Sequence, residues 1–173
     1  MQRVRSALSI ALVAGGAPFA ALALTGGAGA TANTPSCAPS QLSVTLGRAQ
    51  GAAGTVYHPI VFTNRANACA IWGVPAIQPV AAGRRALGPM ARNTSMGMMP
   101  LRHVIAYGQS VSVAFGVAQT GNYPAASCAP RRAIGVSVSL IPFVPATFRP
   151  LSITVCTRLA STTTRLLAPG AKG

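Results

Sequence analysis

Acidic residues are absent from this sequence: its 173 residues include no aspartate and no glutamate, against a combined 14 lysines and arginines. Without side-chain carboxylates the chain cannot assemble a Ser-His-Asp triad, a glycosidase carboxylate pair or other acid–base machinery that uses a carboxyl group. It also lacks the anionic oxygen ligands that usually hold Ca²⁺ and Mg²⁺. The composition therefore predicts a protein that is not an enzyme and that carries no cofactor.

Aromatic residues are scarce as well, at 5% of the chain. Proteins that recognise nucleic acids usually combine clustered basic residues with interleaved aromatic side chains, so we expect no specific nucleic-acid partner. Apolar residues at 3.6-residue intervals, which would indicate amphipathic helices, are also missing. The chain is rich instead in glycine and proline, with 18 and 14 residues respectively, and these residues are typical of turns between short strands.

The N-terminal segment has the organisation of a secretory signal. Arg3 and Arg5 form a short basic region, and the stretch from Ala7 to Leu24 is apolar. Ala28-Gly29-Ala30 then provides the small-x-small pattern at which signal peptidases cleave. We therefore expect residues 1–30 to be a signal peptide and the remainder to be secreted, either extracellular or peripheral to the cell envelope.

A membrane anchor is the alternative for the same segment, because 18 apolar residues are close to the minimum that spans a bilayer. Gly15-Gly16 and Pro18 interrupt the stretch and favour the cleavable signal. The expected organisation after cleavage is a short linker (31–36), one exported domain (37–168) and a flexible tail (169–173). This mature chain has no predicted transmembrane segment.

The chain has four cysteines, at positions 37, 69, 128 and 156. An even number in an exported chain of this size indicates two disulfides. A metal site is the alternative, but no C-x-x-C pair is present and the four residues are far apart in sequence. We therefore expect all four cysteines to be oxidised.

Alternation of apolar with small or hydroxyl residues is the main secondary-structure signal. It predicts strands with one buried face, and several such strands separated by turns are typical of a sandwich. We expect an all-β fold, an antiparallel immunoglobulin-like β-sandwich of about seven to eight strands with two disulfides. The predicted strands are 42–46, 55–63, 111–117, 134–140 and 151–155, and weaker candidates are 71–72, 76–80 and 165–167.

The strand order suggests a pairing for the first two cysteines. If strands 41–47 and 55–63 form a hairpin across the loop 48–54, the start of the first strand lies beside the end of the second. This arrangement brings Cys37 toward Cys69.

The same argument applies to the other two cysteines. A hairpin between 134–140 and 151–156 places Cys128 near Cys156. The predicted disulfides therefore each close the open end of one hairpin. An immunoglobulin-type bridge between the two sheets is the alternative.

Several segments follow the pattern of a known exported domain. The matching positions are Cys37-x₃-Gln41-Leu42-Ser43-Val44, Gly51, Gly54, Val61-Phe62-Thr63-Asn64, Cys69-Ala70-Ile71-Trp72-Gly73-Val74-Pro75, Leu87-Gly88, Arg92, Gly121-Asn122-Tyr123, Cys128 and Cys156. The most specific part, residues 61–75, contains a Cys-x-apolar-x-Gly-x-Pro motif. These residues resemble an exported domain family of unknown function that is abundant in actinobacteria.

The resemblance covers nearly all of residues 37–168 and implies export, a β-rich fold and disulfides. Members of this family occur in secreted proteins and lipoproteins, and no catalytic residues can be carried over from them. Thr34-Pro35-Ser36 lacks the lead-in of a lipid-modified cysteine, so this chain departs from the lipid-anchored members at Cys37.

A methionine-rich segment is one candidate for function. Met90, Met96, Met98 and Met99 are four of the chain's five methionines, and His103 follows them. Thioether and imidazole ligands suit Cu(I), so segment 90–103 predicts soft-metal binding or a redox-buffering role. The alternative is that methionine only fills irregular space or decorates a flexible loop.

The basic surface is the other candidate. The formal net charge is +14, and it becomes +12 when Arg3 and Arg5 leave with the signal. The Arg84-Arg85 and Arg131-Arg132 doublets are the predicted anion-binding residues. Anionic envelope lipids or wall polymers are the partners that such charge would attract, and association with them is the function that the sequence favours.

Overall fold

The computed structural model of the protein describes residues 34–140 and 146–173, and the predicted signal peptide lies outside them. About half of the described residues belong to β-strands, while α1 (Ala125–Cys128) is a single helical turn. The predicted all-β, sandwich-like fold with two disulfides is confirmed. Within these residues, no helix is long and apolar enough to cross a membrane.

Twelve strands occur in this part of the chain, and four of them contain nine residues or more. The strands are β1 (Leu42–Leu46), β2 (Gln50–Ala52), β3 (Thr55–Asn64), β4 (Cys69–Ile71), β5 (Ala76–Val80), β6 (Arg92–Asn93), β7 (His103–Ile105), β8 (Ser110–Ala118), β9 (Pro130–Ser139), β10 (Thr147–Cys156), β11 (Thr162–Thr164) and β12 (Ala168–Pro169). Short 3-10 turns occur at Pro39–Gln41, Ala82–Arg84 and Thr120–Asn122.

The larger sheet has the strand order β1-β3-β8-β11-β6, and β2 and β12 add to it beside β3 and β8. Strand β8 is at its centre, and its sequence alternates over its whole length. Val111, Val113, Phe115 and Val117 belong to the hydrophobic core. The residues between them face the opposite side of the sheet, since successive side chains of a strand point to opposite faces.

The smaller sheet, β10-β9-β5, contributes Ile77, Val136 and Val155 to the same core. Arg149 on β10 holds the edges of the two sheets together: its Nε donates to the Val44 carbonyl of β1, and its Nη1 donates to the Phe148 carbonyl at 2.8 Å. An arginine thus connects the sheets through backbone carbonyls.

Both disulfides have the predicted pairing, Cys37–Cys69 and Cys128–Cys156. The first ties the segment before β1 to β4, with 4.8 Å between the Cα atoms. The second ties α1 to the end of β10, with 4.5 Å between them. The cysteines meet because β1 pairs with β3 and β9 pairs with β10, which brings the flanking segments together.

Two strand predictions differ from the structure. The predicted loop 48–54 contains β2, which turns back onto β3 through Ala53 and Gly54, both with positive φ. The predicted strand 165–167 is instead the connection between β11 and β12, where Leu167 fills the core while its N–H donates to the Gly73 carbonyl at 3.1 Å. The sheet is also not wholly antiparallel, because β11 and β6 are parallel.

The segments at both ends of the described domain make hydrogen bonds to its strands. In the predicted linker 31–36, Pro35 accepts a backbone hydrogen bond from Ala70 at 2.8 Å. The predicted flexible tail 169–173 begins within β12, and the Gly173 N–H donates to Ser112 Oγ at 2.8 Å. The tail therefore packs along β8 because that strand offers it free hydrogen-bonding groups.

Candidate anion-binding site

The outer face of β8 is unusual because every residue on it is small. Ser112, Ala114, Gly116 and Ala118 alternate with the large core residues of the same strand. Small side chains on a central strand leave the space above it unfilled. The larger side chains of the neighbouring strands therefore border a depression over β8.

The sheet register places one row of residues from five strands across this depression. Gly116 is paired with Tyr57 of β3 on one side and with Thr163 of β11 on the other. Beyond them, Tyr57 is paired with Gln50 of β2, and Thr163 is paired with Arg92 of β6. Since neighbouring strands lie about 4.8 Å apart, a phenol, a hydroxyl and a guanidinium line a channel with glycine at its base.

We call this channel the cationic groove. It consists of a cavity of about 290 Å³ and an adjoining one of about 210 Å³, which share Tyr57, Ala114 and Arg165. The side chains that give the groove its chemistry are Arg92, Arg165, Lys172, Tyr57, Tyr123, Thr55, Thr94, Ser161 and Thr163. The predicted flexible tail forms its end wall, because Lys172 and Gly173 line the second cavity.

The cationic side chains of the groove differ from the other arginines in their contacts with the protein. Elsewhere, Arg149 binds two carbonyls and Arg132 Nε donates to Ser152 Oγ at 2.9 Å. The side chains of Arg92, Arg165 and Lys172, in contrast, have no hydrogen-bond or π partner within residues 34–140 and 146–173. With no carboxylate side chain in the chain, these three positive charges remain available to an anion.

Gly116 sets the depth of the groove. A Cβ atom at this position would overlap Thr163 Oγ1 and would lie 3.1 Å from Tyr57 Cε1. Any other residue would therefore push the two walls apart or fill the channel between them. The glycine keeps Arg92 and the phenol of Tyr57 at opposite sides of an open space.

The predicted anion-binding doublets lie on the other sheet. Arg84 follows β5 and stacks on Phe148 of β10, with its Cζ 5.0 Å from the ring centroid. Arg131 and Arg132 follow Pro130, the first residue of β9, and Arg131 Nη1 donates to the Pro130 carbonyl at 3.3 Å. None of the doublet arginines, Arg85 included, lines the cationic groove. Their role in anion binding stays a prediction.

The methionines of the methionine-rich segment are exposed: Met90 precedes β6, and Met96, Met98 and Met99 lie in the loop between β6 and β7. Met96 and Met99 are the most exposed of its four methionines, at 81% and 86%, while Met90 and Met98 are also exposed. His103 lies on β7, and its Nε2 is 3.1 Å from the Leu167 carbonyl oxygen. The thioethers therefore face solvent, and soft-metal binding stays a prediction.

The cationic groove was not predicted from the sequence, because the alternation in β8 was interpreted only as a strand with one buried face. The alternate residues, Ala114, Gly116 and Ala118, carry the signal: a long strand with one wholly small face predicts a depression. Arg92 and Arg165 could not be added from the sequence, since their position depends on the parallel pairing of β6 with β11.

A second opening lies between the sheets at one end of the sandwich. It has a volume of about 420 Å³ and is lined by His58 and Val117 of the larger sheet and by Ile153 of the smaller one. Partial burial at this opening lowers the pKa of His58 below its ordinary value of 6.5. The imidazole is thus held in its neutral form more strongly than in the unfolded chain.

The family described as "Domain of unknown function (DUF4232)" matches residues 37–166, which include the groove strands and all four cysteines. The chain belongs to this family. The DUF4232 domain thus begins at the first disulfide cysteine and ends in the connection between β11 and β12. No curated protein and no solved structure matches the chain.

The half-buried His58 and the missing carboxylates predict an unusual pH profile for the DUF4232 domain. Because the folded pKa of His58 is lowered, the unfolded state binds more protons below pH 6.5, and the unfolding free energy should fall as the pH drops toward the folded pKa. Below that pKa the profile should be flat, since no aspartate or glutamate titrates. Denaturant melts from pH 7.5 to 3 measure this, and His58→Gln should remove the decline. A steep loss near pH 4 in both proteins would contradict the account.

Gly116→Ala should destabilise the domain by about 1–3 kcal/mol, the usual cost of overpacking, because the new methyl group overlaps Thr163 Oγ1. In a Thr163→Ala background that overlap is absent, so the same substitution should cost less, with a coupling energy of about 0.5–3 kcal/mol. Urea unfolding of all four proteins in the cycle tests this. An equal cost in both backgrounds would show that the glycine is not needed for the stated reason.

Proposed function

We propose that this protein is a secreted, non-enzymatic binding module that associates with anionic components of the cell envelope through the cationic groove. The observation that carries the proposal is the convergence of Arg92, Arg165 and Lys172, all without protein partners in the described part of the chain, on one open channel. No other side chain of the protein offers a carboxylate to neutralise them.

The lining of the groove favours a polymer in which charged groups alternate with hydroxyl groups. Guanidinium groups bind phosphate and carboxylate through paired N–H donors. Tyr57, Tyr123 and Thr163 supply hydroxyls that can both donate and accept hydrogen bonds, as sugar or polyol units require. A wall polymer with repeating phosphate groups has both features.

Export is part of the proposal. Two formed disulfides are compatible with an oxidising compartment outside the cytoplasm, and the basic and apolar N-terminal residues support a signal peptide. An actinobacterial source, which the resemblance of the sequence suggests, is proposed on the same basis.

Loss of the groove arginines should weaken polymer binding strongly. Arg92→Gln together with Arg165→Gln should lower the affinity for poly(glycerol phosphate) in 150 mM NaCl about a hundredfold, because each charge-assisted hydrogen bond contributes about 1.5 kcal/mol or more. The slope of log Kd against log[NaCl] should also decrease by about two, as it does when a protein loses two phosphate contacts to a nucleic acid. Isothermal titration calorimetry at three salt concentrations measures both quantities.

The doublets provide matched controls for this experiment. Arg84→Gln/Arg85→Gln and Arg131→Gln/Arg132→Gln remove the same two charges from the other sheet, so they should weaken binding only a few-fold through the long-range field. An equal loss in all three variants would mean that net charge alone drives association. A larger loss in one doublet variant would move the site to that doublet and overturn the groove assignment.

Soft-metal binding is a second candidate, favoured by the exposure of three thioethers within four residues, Met96, Met98 and Met99. The wild type should then bind Cu(I) in competition with a chelator under ascorbate. The Met90/96/98/99→Leu variant should lose this binding, since leucine keeps the apolar volume and removes the sulfur ligand. Identical titrations for both proteins would end this candidate.

A further inference from the structure

The largest exposed apolar side chains of the domain are concentrated at the loop that leads into β7. Met96, Met99 and Leu101 are 81%, 86% and 72% exposed, and Met98 is also exposed. Trp72 is 45% exposed. Soluble proteins rarely leave such large apolar groups together in water unless they contact a partner.

An arginine joins Trp72 to this loop. The Cζ of Arg102 lies 5.8 Å from the centroid of the indole ring, within the range of a cation–π interaction. Leu101 immediately precedes Arg102 in the chain and is also exposed. We call Trp72, Met96, Met98, Met99 and Leu101 the apolar lip.

The fold presents the lip outward. Ser95 is buried, its Oγ accepts a hydrogen bond from the Leu166 N–H at 3.1 Å, and its N–H donates to Asn93 Oδ1 at 2.8 Å. The Met98 N–H then donates to the Ser95 carbonyl at 3.1 Å, and Gly97 between them has φ +81°. The loop is thus fixed at its base, and its tight turn directs the methionines away from the sheet.

The lip also lies where the described chain begins. Arg102 Nη2 donates to the Thr34 carbonyl, and Pro35 and Ser36 run beside β4 immediately before Trp72. An apolar cavity of about 330 Å³ next to Trp72 is lined by Ser36, Ile71, Gly73 and Leu140. Apolar surface, an apolar hollow and a guanidinium therefore share one end of the molecule.

We infer that the apolar lip inserts into the interface of a membrane that contains anionic phospholipid. Tryptophan is enriched at the level of lipid headgroups, and exposed Leu and Met side chains beside an arginine are the combination that gives shallow insertion together with headgroup attraction. A chain with no acidic side chain meets no repulsion from an anionic lipid surface. This inference does not rest on the cationic groove.

Trp72 is the only tryptophan of the chain, so its fluorescence reports on the lip alone. Vesicles containing 30% phosphatidylglycerol in phosphatidylcholine should shift its emission to shorter wavelength, and brominated acyl chains should quench it. Pure phosphatidylcholine vesicles should have a weaker effect, because attraction to Arg102 is lost. Met99→Ser/Leu101→Ser should reduce the partition coefficient about tenfold or more, through the lost apolar burial.

Three controls keep the inference falsifiable. Tyr107→Ser removes a side chain that is 71% exposed outside the lip and should leave partitioning unchanged, and thermal melts should show that all variants are folded. Met96/98/99→Leu should keep partitioning although it removes every thioether of the lip, which separates lipid contact from Cu(I) binding. Arg92→Gln/Arg165→Gln should keep the Trp72 quenching even if polymer binding fails.

An unchanged Trp72 spectrum with phosphatidylglycerol vesicles would overturn the inference. Sedimentation with vesicles but without quenching would do the same, because it would show attachment by charge alone. An equal loss in the Tyr107→Ser and Met99→Ser/Leu101→Ser variants would show that the lip has no special role.

Discussion

A chain without carboxylate side chains has to satisfy its guanidinium groups with neutral acceptors, and this constraint governs where its arginines can lie. Arg149 reaches the Val44 carbonyl and so fastens β10 to β1, and Arg158 Nη1 donates to the Ala126 carbonyl at 3.0 Å beside the Cys128–Cys156 disulfide. Arg84 uses the π face of Phe148 instead. Backbone carbonyls are already committed in the interior of a sheet, so such contacts arise only at edges and loops. Arg92 on the edge strand β6 and Arg165 in the connection after β11 have no such acceptor in the described part of the chain, and they line the groove.

Much of the fold could be predicted because large apolar and small residues alternate along single strands, which is a local sequence pattern. Strand β8 repeats large and small residues over 111–118, and antiparallel neighbours meet through short connections, so both disulfides follow from the order of the hairpins. The groove could not be predicted in the same way. Its arginines come from β6 and from the segment after β11, two pieces that are distant in sequence and pair in parallel. No local pattern encodes that contact, since it depends on the tertiary path of the chain.

The groove and the apolar lip are connected through one short stretch of backbone. Thr94 lines the groove, and its N–H donates to the Thr164 carbonyl at 2.9 Å. The next residue, Ser95, is buried and fixes the base of the methionine loop. Arg92 of β6 lines the groove, and Met96 of the apolar lip follows it only four residues later. A surface polymer held in the groove and a lipid surface at the lip would lie next to each other, as they do in a cell envelope.

The same uncompensated charge links ligand binding to folding. The native sheet holds Arg92, Arg165 and Lys172 around one channel, whereas an unfolded chain can separate them, so their repulsion opposes the native state. A bound anion removes this repulsion and stabilises only the folded form, by an amount that grows with its concentration relative to Kd. The walls of the groove come from β2, β3, β6, β8 and β11 and from the last residues of the chain. Occupancy would therefore strengthen long-range sheet contacts, which the missing carboxylates leave without any salt bridge between side chains.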